Sequence, residues 1–587
     1  MAPPPPRPVY IPGADPVFGF YHETHNDVGR ELALLICAPF GWGEAHSYRS
    51  RRNWAIQLAA SGYSTLRIDL PGTGDSGGSP RDPARLQAWT EATSVAAAWL
   101  RATSGCDRLA AFGTGLGGLV ICCSIAVNAP IDDVILWAVP SRGRTFLREL
   151  RAFAALQCGP IALRDEAARG LTEDGLIEAG FVLSAETVSA LETLDVAQLD
   201  FPTGRVRRAL LLGRDGIEAD PRLRRHLEKN GTIVSVARGE GYGVMMSAAQ
   251  CAQVPADILT PVEAWLRDCA TDDASARPVQ THRSQDTGSV PASGPAAIEL
   301  VVGDCTVREM PLTIDQPFGE LFGILTEPAA AQALGLSVVL LNAGPIRHTG
   351  PNRMWVEAAR RWAARGVRTF RLDLEGLGDA AGECDRLTHE QLYAPELADQ
   401  VRAALDALEA RGLGSCFALA GLCSGASWSF QTALQDERVR AAFMINPHAF
   451  FWAPSVGEDR GTRRLLRRAS WRRILAGEVP FRRIVLVAGR TLIVLAGIGR
   501  RGQSRRHELD RALDQLRDSH KHVMLAFSGG EPLFEELKRD GRLDRIGRWP
   551  NLTLEVLPGR EHILQTLRSQ RAAHLALDRA LERALER

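Results

Sequence analysis

Short apolar runs closed by glycine set the rhythm of this chain. "LALLICAPF" (Leu32–Phe40), "LRIDLPG" (Leu66–Gly72), "SVVLLNAGP" (Ser337–Pro345) and "FRLDLEG" (Phe370–Gly376) read as strands. Between them lie stretches with helical spacing of apolar residues, such as "RNWAIQLAASG" and "RMWVEAARRWAARG". A near-continuous apolar strand needs cover on both faces, and alternation with amphipathic helices supplies it. The pattern predicts βαβ units and a mostly parallel sheet.

The pattern runs twice. "LALLICAPFGWGEAHSYRSRRNWAIQLAASGYSTLRIDLPGTGDSGG" and "SVVLLNAGPIRHTGPNRMWVEAARRWAARGVRTFRLDLEGLGDAAGE" follow the same order: strand, glycine-containing loop, helix, strand (Thr65–Leu70 and Thr369–Leu374), glycine-rich turn. A single repeat of about 300 residues is a domain duplication and not a solenoid. Thr271–Ala297, "TDDASARPVQTHRSQDTGSVPASGPAA", is rich in Ser, Pro, Asp and Thr and almost free of large apolar residues. That is linker composition. The expected organisation is a domain over 1–270, a linker over 271–297 and a second domain over 298–587.

Composition changes this picture only by exclusion. Lys plus Arg and Asp plus Glu both total 69, so no global attraction to nucleic acid or membrane follows. The eleven cysteines show no CxxC pair. That argues against a disulfide framework and a zinc site, and for a reducing, cytoplasmic setting. The start, "MAPPPPRPVYIPG", lacks an apolar signal core, so no secretion signal is expected. The longest apolar run, Ile484–Ile498, is too short to span a bilayer and carries Arg490, which makes it a buried or lid helix.

The order of strands, loops and turns in both halves resembles the α/β-hydrolase fold. More narrowly, "APFGWGEAHSYRSRRNWAIQLAASGYSTLRIDLPGTGDSGG", and "RHTGPNR" followed by "AGLCSGAS", resemble the two types of hydrolase associated with the exosortase A system, of the serine-aminopeptidase-like group. The resemblance covers nearly all of both halves. It implies two tandem α/β-hydrolase domains, the second with a helical cap, and leaves the substrate open.

In that fold a G-x-Nu-x-G elbow carries the nucleophile on a strained strand-to-helix turn. Gly421-Leu422-Cys423-Ser424-Gly425 fits, with Cys423 as nucleophile. The other register would use Ser424, but its flanking Leu422 is too large. Taken alone, Cys423 could equally be a small buried thiol. The partners expected downstream, in the order nucleophile, acid, base, favour chemistry. Glu531 ends the strand-like "HVMLAFSGGE", and His562 follows "LTLEVLPGRE". Glu536, a neighbour at a helical position, is the poorer acid. The oxyanion donors expected are the N–H of Ser424 and of Gly344 or Ala343; Pro345 has no N–H.

The first half lacks this set. Gly113-Thr114-Gly115-Leu116-Gly117 puts glycine at the nucleophile position, Thr114 is one residue out of register, and Tyr242 replaces the histidine. An acid, Asp215, remains. This half reads as non-catalytic.

A cap is expected at about 452–506. From Arg460 to Arg506 it carries fourteen arginines and one acid, Glu478. Arg467, Arg468, Arg472 and Arg473 are candidate substrate-binding residues, since guanidinium suits phosphate and carboxylate. Otherwise they form a solvated basic face. Coenzyme A, a carrier-bound phosphopantetheine or an anionic membrane surface fits the charge; a nucleic-acid reading motif is not visible. Cysteine exchanges one thioester for another at little cost. The functional expectation is therefore an acyltransferase or thioesterase with a Cys-His-Glu triad, acting on an acyl thioester and an acceptor the sequence does not name. No metal or cofactor is expected. The alternatives are a lactone or ester hydrolase on a small free substrate, and a scaffold without activity. The two halves are expected to pack as an internal pseudo-dimer.

Overall fold

A computed structural model describes residues 4–24, 31–153, 175–247, 252–271, 297–330, 332–382, 388, 390–451 and 507–586. The chain divides into two compact units. The first gathers Met1–Ala333, Pro345–Asp385 and Ile563–Gln570; the second gathers Leu334–Gly344, Arg386–His562 and Arg571–Arg587.

In the first unit, β1 (Arg7–Ile11) and β2 (Val17–His22) form an antiparallel hairpin, followed by β3 (Leu32–Cys37), β4 (Thr65–Ile68), β5 (Arg108–Thr114) and β6 (Asp133–Trp137). A small hairpin, β7 (Leu176–Glu178) and β8 (Phe181–Leu183), precedes β9 (Arg208–Leu212) and β10 (Ile233–Ala237). The sheet order is β1-β2-β4-β3-β5-β6-β9-β10. β2 meets β4 antiparallel, and every pairing from β4 onward is parallel. The chain first builds outward from β3 to β4, then returns to build β5 on the other side. Sites form at the carboxyl ends of strands flanking such a reversal.

All six residues of β3 are buried. One sheet face packs Trp89, Leu100, Leu119 and Ile121 from the helices Arg85–Ser104 and Leu116–Ala126. The other packs Trp54 and Leu58 from helix Trp42–Ala60, with Trp265 from helix Leu259–Thr271. This two-sided cover is why the strands read as unbroken apolar runs.

The second half opens with β11 (Ile298–Val302), β12 (Cys305–Gln316), β13 (Gly319–Pro328), β14 (Ser337–Leu340) and β15 (Thr369–Asp373). Within the first unit β11, β12, β13 and β15 pair antiparallel in that order. β14 belongs to the second unit, where it pairs in parallel with β16 (Phe417–Leu422). β17 (Val439–Ile445), β18 (His522–Ser528) and β19 (Leu552–Leu557) extend that parallel run. The two sheets are mostly parallel and flanked by helices, as in tandem α/β domains.

The glycine-rich turns after β4 and β15 are built alike. Asp75 N–H donates to Asp69 Oδ2 at 3.0 Å, and Asp379 N–H to Asp373 Oδ2 at 2.9 Å. Gly74 (φ 48°) and Gly378 (φ 50°) lie so close to those carboxylates that an added Cβ would stand 1.9 and 2.1 Å from an oxygen. Ion pairs join the two turns reciprocally within the first unit. Arg67 on β4 pairs with Asp379, and its counterpart Arg371 on β15 pairs with Asp75 at 3.2 Å. Such exchange of equivalent partners is the mark of a two-fold contact.

More charges join the same buried cluster. Arg347 donates two bonds to Asp69, at 3.0 and 3.1 Å, and one to Glu44 at 3.1 Å. His348 lies between Asp75 (2.8 Å) and Asp373 (2.6 Å). Burial alone would push its pKa down, but these two carboxylates outweigh burial and hold it protonated, at about 10. Arg353 donates to the carbonyls of Gly74, Ser76 and Gly78, and Arg360 to Glu309. Among the described residues no helix is long and apolar enough to cross a membrane.

Candidate active site

The second unit contains the candidate site. β16 ends at Leu422, and the helix Ser424–Gln435 begins immediately after Cys423. Cys423 bridges them at φ 60°, ψ −114°, a left-handed region that a side chain enters only under constraint. The flanking glycines permit the turn. A Cβ on Gly421 would meet Gly425 C at 2.1 Å, and one on Gly425 would meet Asn342 O at 2.2 Å. Both contacts are with backbone, which has little room to yield. Gly425→Ala is therefore expected to pry the elbow from the end of β14. It should lower the melting midpoint and slow iodoacetamide alkylation of Cys423 at neutral pH. Wild-type melting and alkylation in that variant would refute this steric account.

The Cys423 sulfur has three polar neighbours. The His562 ring and the Ser424 backbone N–H both act on its ionisation, and the Tyr393 hydroxyl stands 3.5 Å away. Burial alone would push the thiol up; the bond and charge of His562, then Tyr393 and Ser424, outweigh burial and bring it below its ordinary value. For His562, burial pulls down, while bonds to Cys423 and Glu531 pull up further, to about 10. Together these shifts describe a thiolate–imidazolium pair.

Glu531 lies at the end of the loop after β18, at the residue that precedes helix Pro532–Arg539. Its buried carboxylate accepts a bond from His562 Nδ1 at 2.9 Å. That bond occupies Nδ1 and leaves Nε2 as the ring nitrogen available to another partner.

The His562 loop is held by residues that sequence reasoning did not single out. Asn446, at the end of β17, donates to the His562 carbonyl at 2.7 Å and to Ser528 Oγ at 3.0 Å. Ser528 N–H donates back to Asn446 Oδ1 at 2.7 Å, and its hydroxyl to the Glu561 carbonyl at 3.2 Å. A polar Asn at the close of the apolar run "AAFMIN" was the available signal. Tyr393 carried none, because it comes from a turn before helix Pro395–Ala410, far from the motifs in sequence.

The expected oxyanion residues fall into place unevenly. Ser424 follows the nucleophile. Ala343 and Gly344 form the turn after β14, and Gly344 (φ 59°) has open space where a side chain would be. The Gly344 N–H donates to Ser424 Oγ at 3.1 Å, so this amide is already engaged within the protein. Arg467, Arg468, Arg472 and Arg473, with the expected cap at about 452–506, lie outside the described residues.

The first half keeps the elbow backbone with glycine at the position of Cys423. Gly115 has φ 54°, ψ −118°, close to Cys423. Among the described residues a Cβ there would find only Pro39 Cβ, 4.0 Å away. Packing would admit a side chain that the sequence omits. The Asp215 carboxylate accepts from the amides of Gly241 (2.7 Å), Tyr242 (3.2 Å) and Gly243 (2.6 Å). Thr114 is buried at the end of β5.

His348, Asp373 and Asp379 could each offer a ligand atom to a metal ion, within 4.8 Å of one another. Both ring nitrogens of His348 already bond carboxylates, so the imidazole is a donor on both sides and the cluster reads as an ion-pair network.

No family model matches the chain, and no curated protein matches it. Solved structures do. An α/β serine hydrolase without lid from Xanthomonas campestris is 15% identical with a TM-score of 0.29, covering 47% of this chain and 98% of its own. An α/β serine hydrolase homologue from Coxiella burnetii is 14% identical with a TM-score of 0.29, covering 46% and 96%. Est1E from Butyrivibrio proteoclasticus is 14% identical with a TM-score of 0.31, covering 46% and 99%. Each is a likeness of fold over about half of this chain.

Proposed function

We propose that the second half is an acyl-transfer enzyme that forms an acyl-Cys423 intermediate from an acyl thioester. The observation that carries this reading is the strained elbow of Cys423, joined through His562 to the buried carboxylate of Glu531.

The Cys423 thiolate attacks the thioester carbonyl carbon. Negative charge moves to the carbonyl oxygen, where the Ser424 amide and a donor from the Ala343–Gly344 turn meet it. For Gly344 this requires release from Ser424 Oγ. The carbon–sulfur bond of the donor then breaks, and the departing thiolate takes the proton from His562. In the second step an acceptor O–H or N–H loses its proton to His562 as it attacks the acyl-cysteine, and Cys423 leaves as thiolate. Glu531 holds the imidazole orientation and balances its charge throughout.

The donor fits coenzyme A or a carrier-bound phosphopantetheine, whose phosphates suit the arginines of 452–506, including Arg467, Arg468, Arg472 and Arg473. The non-catalytic half serves as a fixed structural partner in an internal pseudo-dimer, a role supported by the reciprocal Arg67–Asp379 and Arg371–Asp75 pairs. The resemblance of "RHTGPNR" and "AGLCSGAS" to motifs of the exosortase A-associated hydrolases supports a hydrolase-type reading.

Intact-mass spectrometry after incubation with a panel of acyl-CoA thioesters should show one acyl adduct, absent in Cys423→Ala. Added hydroxylamine should discharge it faster than water if transfer dominates. Adducts only from free esters or lactones would favour a small-molecule hydrolase, and no adduct from any donor would leave the scaffold reading standing.

A further inference from the structure

Tyr393 belongs to none of the hydrolase motifs, yet its hydroxyl is 3.5 Å from the sulfur of Cys423. Its position is built. Tyr393 closes a short 3₁₀ turn, Gln391–Tyr393, and is 3% exposed. The turn is tied to the elbow helix itself: Trp428 Nε1–H donates to the Leu392 carbonyl at 2.9 Å, in a buried contact. Pro395 then starts the next helix and fixes the exit of the turn. The Tyr393 ring also packs against His448, centroids 5.8 Å apart, and His448 against His562 at 6.4 Å.

We propose that Tyr393 is a further catalytic residue, whose O–H donates to the Cys423 thiolate opposite the imidazolium of His562. The proposal rests on the acyl-transfer reading, because only a reacting thiolate needs a second donor. When the sulfur is a thiolate, the phenol is its donor, since a thiolate has no proton to give. When the sulfur carries an acyl group it is a poor acceptor, and the bond weakens. Tyr393 thus acts at both ends of the cycle. It raises the thiolate fraction before attack and stabilises the thiolate that departs when the acceptor takes the acyl group. No proton leaves Tyr393 in either step.

The titratable groups that act on Cys423, among the described residues, are His562 after β19 and Tyr393, with Glu531 bonded to His562 and His448 packed against the rings of both Tyr393 and His562. Removing the phenol oxygen leaves the other three in place. Hydrogen bonds to charged groups contribute about 1.5–3 kcal/mol, with sulfur acceptors at the weak end, which corresponds to roughly tenfold in thiolate stability.

The test is the pH dependence of Cys423 alkylation by iodoacetamide in the full chain, followed by peptide mass from pH 5 to 10. Cys305, an exposed thiol, serves as internal reference. In Tyr393→Phe the Cys423 profile should move to higher pH, with alkylation about five- to tenfold slower near pH 6. Above pH 9 the variant should match or exceed the wild type, because a more basic thiolate is the better nucleophile. Cys305 should keep its profile. An unshifted profile, or a uniform loss at every pH, overturns the proposal and leaves Tyr393 as packing. Failure of the underlying reading looks different: the wild-type Cys423 profile would match that of Cys305, and the proposal would fall with it.

Discussion

His562→Ala is expected to slow iodoacetamide alkylation of Cys423 at pH 7 by at least about tenfold. An ordinary thiol is only a few per cent thiolate at neutral pH. Burial makes Cys423 worse than ordinary, since it disfavours the charged sulfur. What reverses this is His562, by hydrogen bond and by charge. Without the ring, Tyr393 and the Ser424 amide remain, and burial regains the advantage. The signs define a pH window. The thiol is lowered below its ordinary value and the imidazole raised to about 10, so the pair extends downward from about pH 10 into the range where an ordinary thiol is protonated. Wild-type alkylation should hold to lower pH than that of the His562→Ala variant. The variant should climb steeply towards alkaline pH. Equal rates in the two proteins would remove His562 from the site. Glu531→Gln should lie between them, because it keeps the ring but loses the charge behind it.

The second large effect is on folding. Asp75→Ala should lower the melting midpoint by at least about 5 °C and reduce soluble yield. Asp75 holds His348 at 2.8 Å and Arg371 at 3.2 Å, and all three side chains are fully buried. Removing one partner of a buried ion pair costs about 3–5 kcal/mol, because the charge left behind has no water to turn to. For a domain with about 5–15 kcal/mol in hand, that is a large share. Expressing residues 298–587 alone extends the test. Arg347 and Arg353 would lose partners that come from residues 44–78. The fragment should aggregate, and co-expression of 1–270 should recover it. A stable, monodisperse fragment would refute the structural role of the silent half.

The same cluster sets a pH dependence. His348 titrates at about 10 when folded and near 6.5 when unfolded, so its contribution is full below about pH 6.5 and is lost as pH rises towards 10. Asp75, Asp379 and Glu309 are lowered; each has burial against it and a charged neighbour that outweighs burial, chiefly His348, Arg67 and Arg360 respectively. Their contributions are present above about pH 4 and fade in acid. Thermal stability should therefore fall between pH 7 and 10, and His348→Gln should flatten that slope.

Much of this protein was legible before folding was considered. A parallel sheet covered on both faces leaves a direct trace, because every strand position must be apolar; "LALLIC" and "FALAGL" are such traces. The elbow was equally plain. Its glycines answer to backbone contacts, Gly421 with the nearby Gly425 and Gly425 with Asn342 beyond the neighbouring strand, and those sterics demand the same residues wherever the turn occurs. Glu531 and His562 were singled out by chain order, and the structure sets them 2.9 Å apart, since strand ends in this topology converge on one edge of the sheet. Other features belong to three dimensions alone. Tyr393, Asn446 and Ser528 act through distances between segments far apart in sequence, and no periodicity records such a meeting. "RHTGPNR" reads as a basic surface loop. Tertiary structure makes Arg347, His348 and Arg353 buried partners of Asp69, Asp75 and the carbonyls of the "PGTGDSGG" turn. A charge is stable in such a place only when its counter-charge arrives from elsewhere in the chain, and one-dimensional patterns of apolar and polar residues cannot carry that pairing.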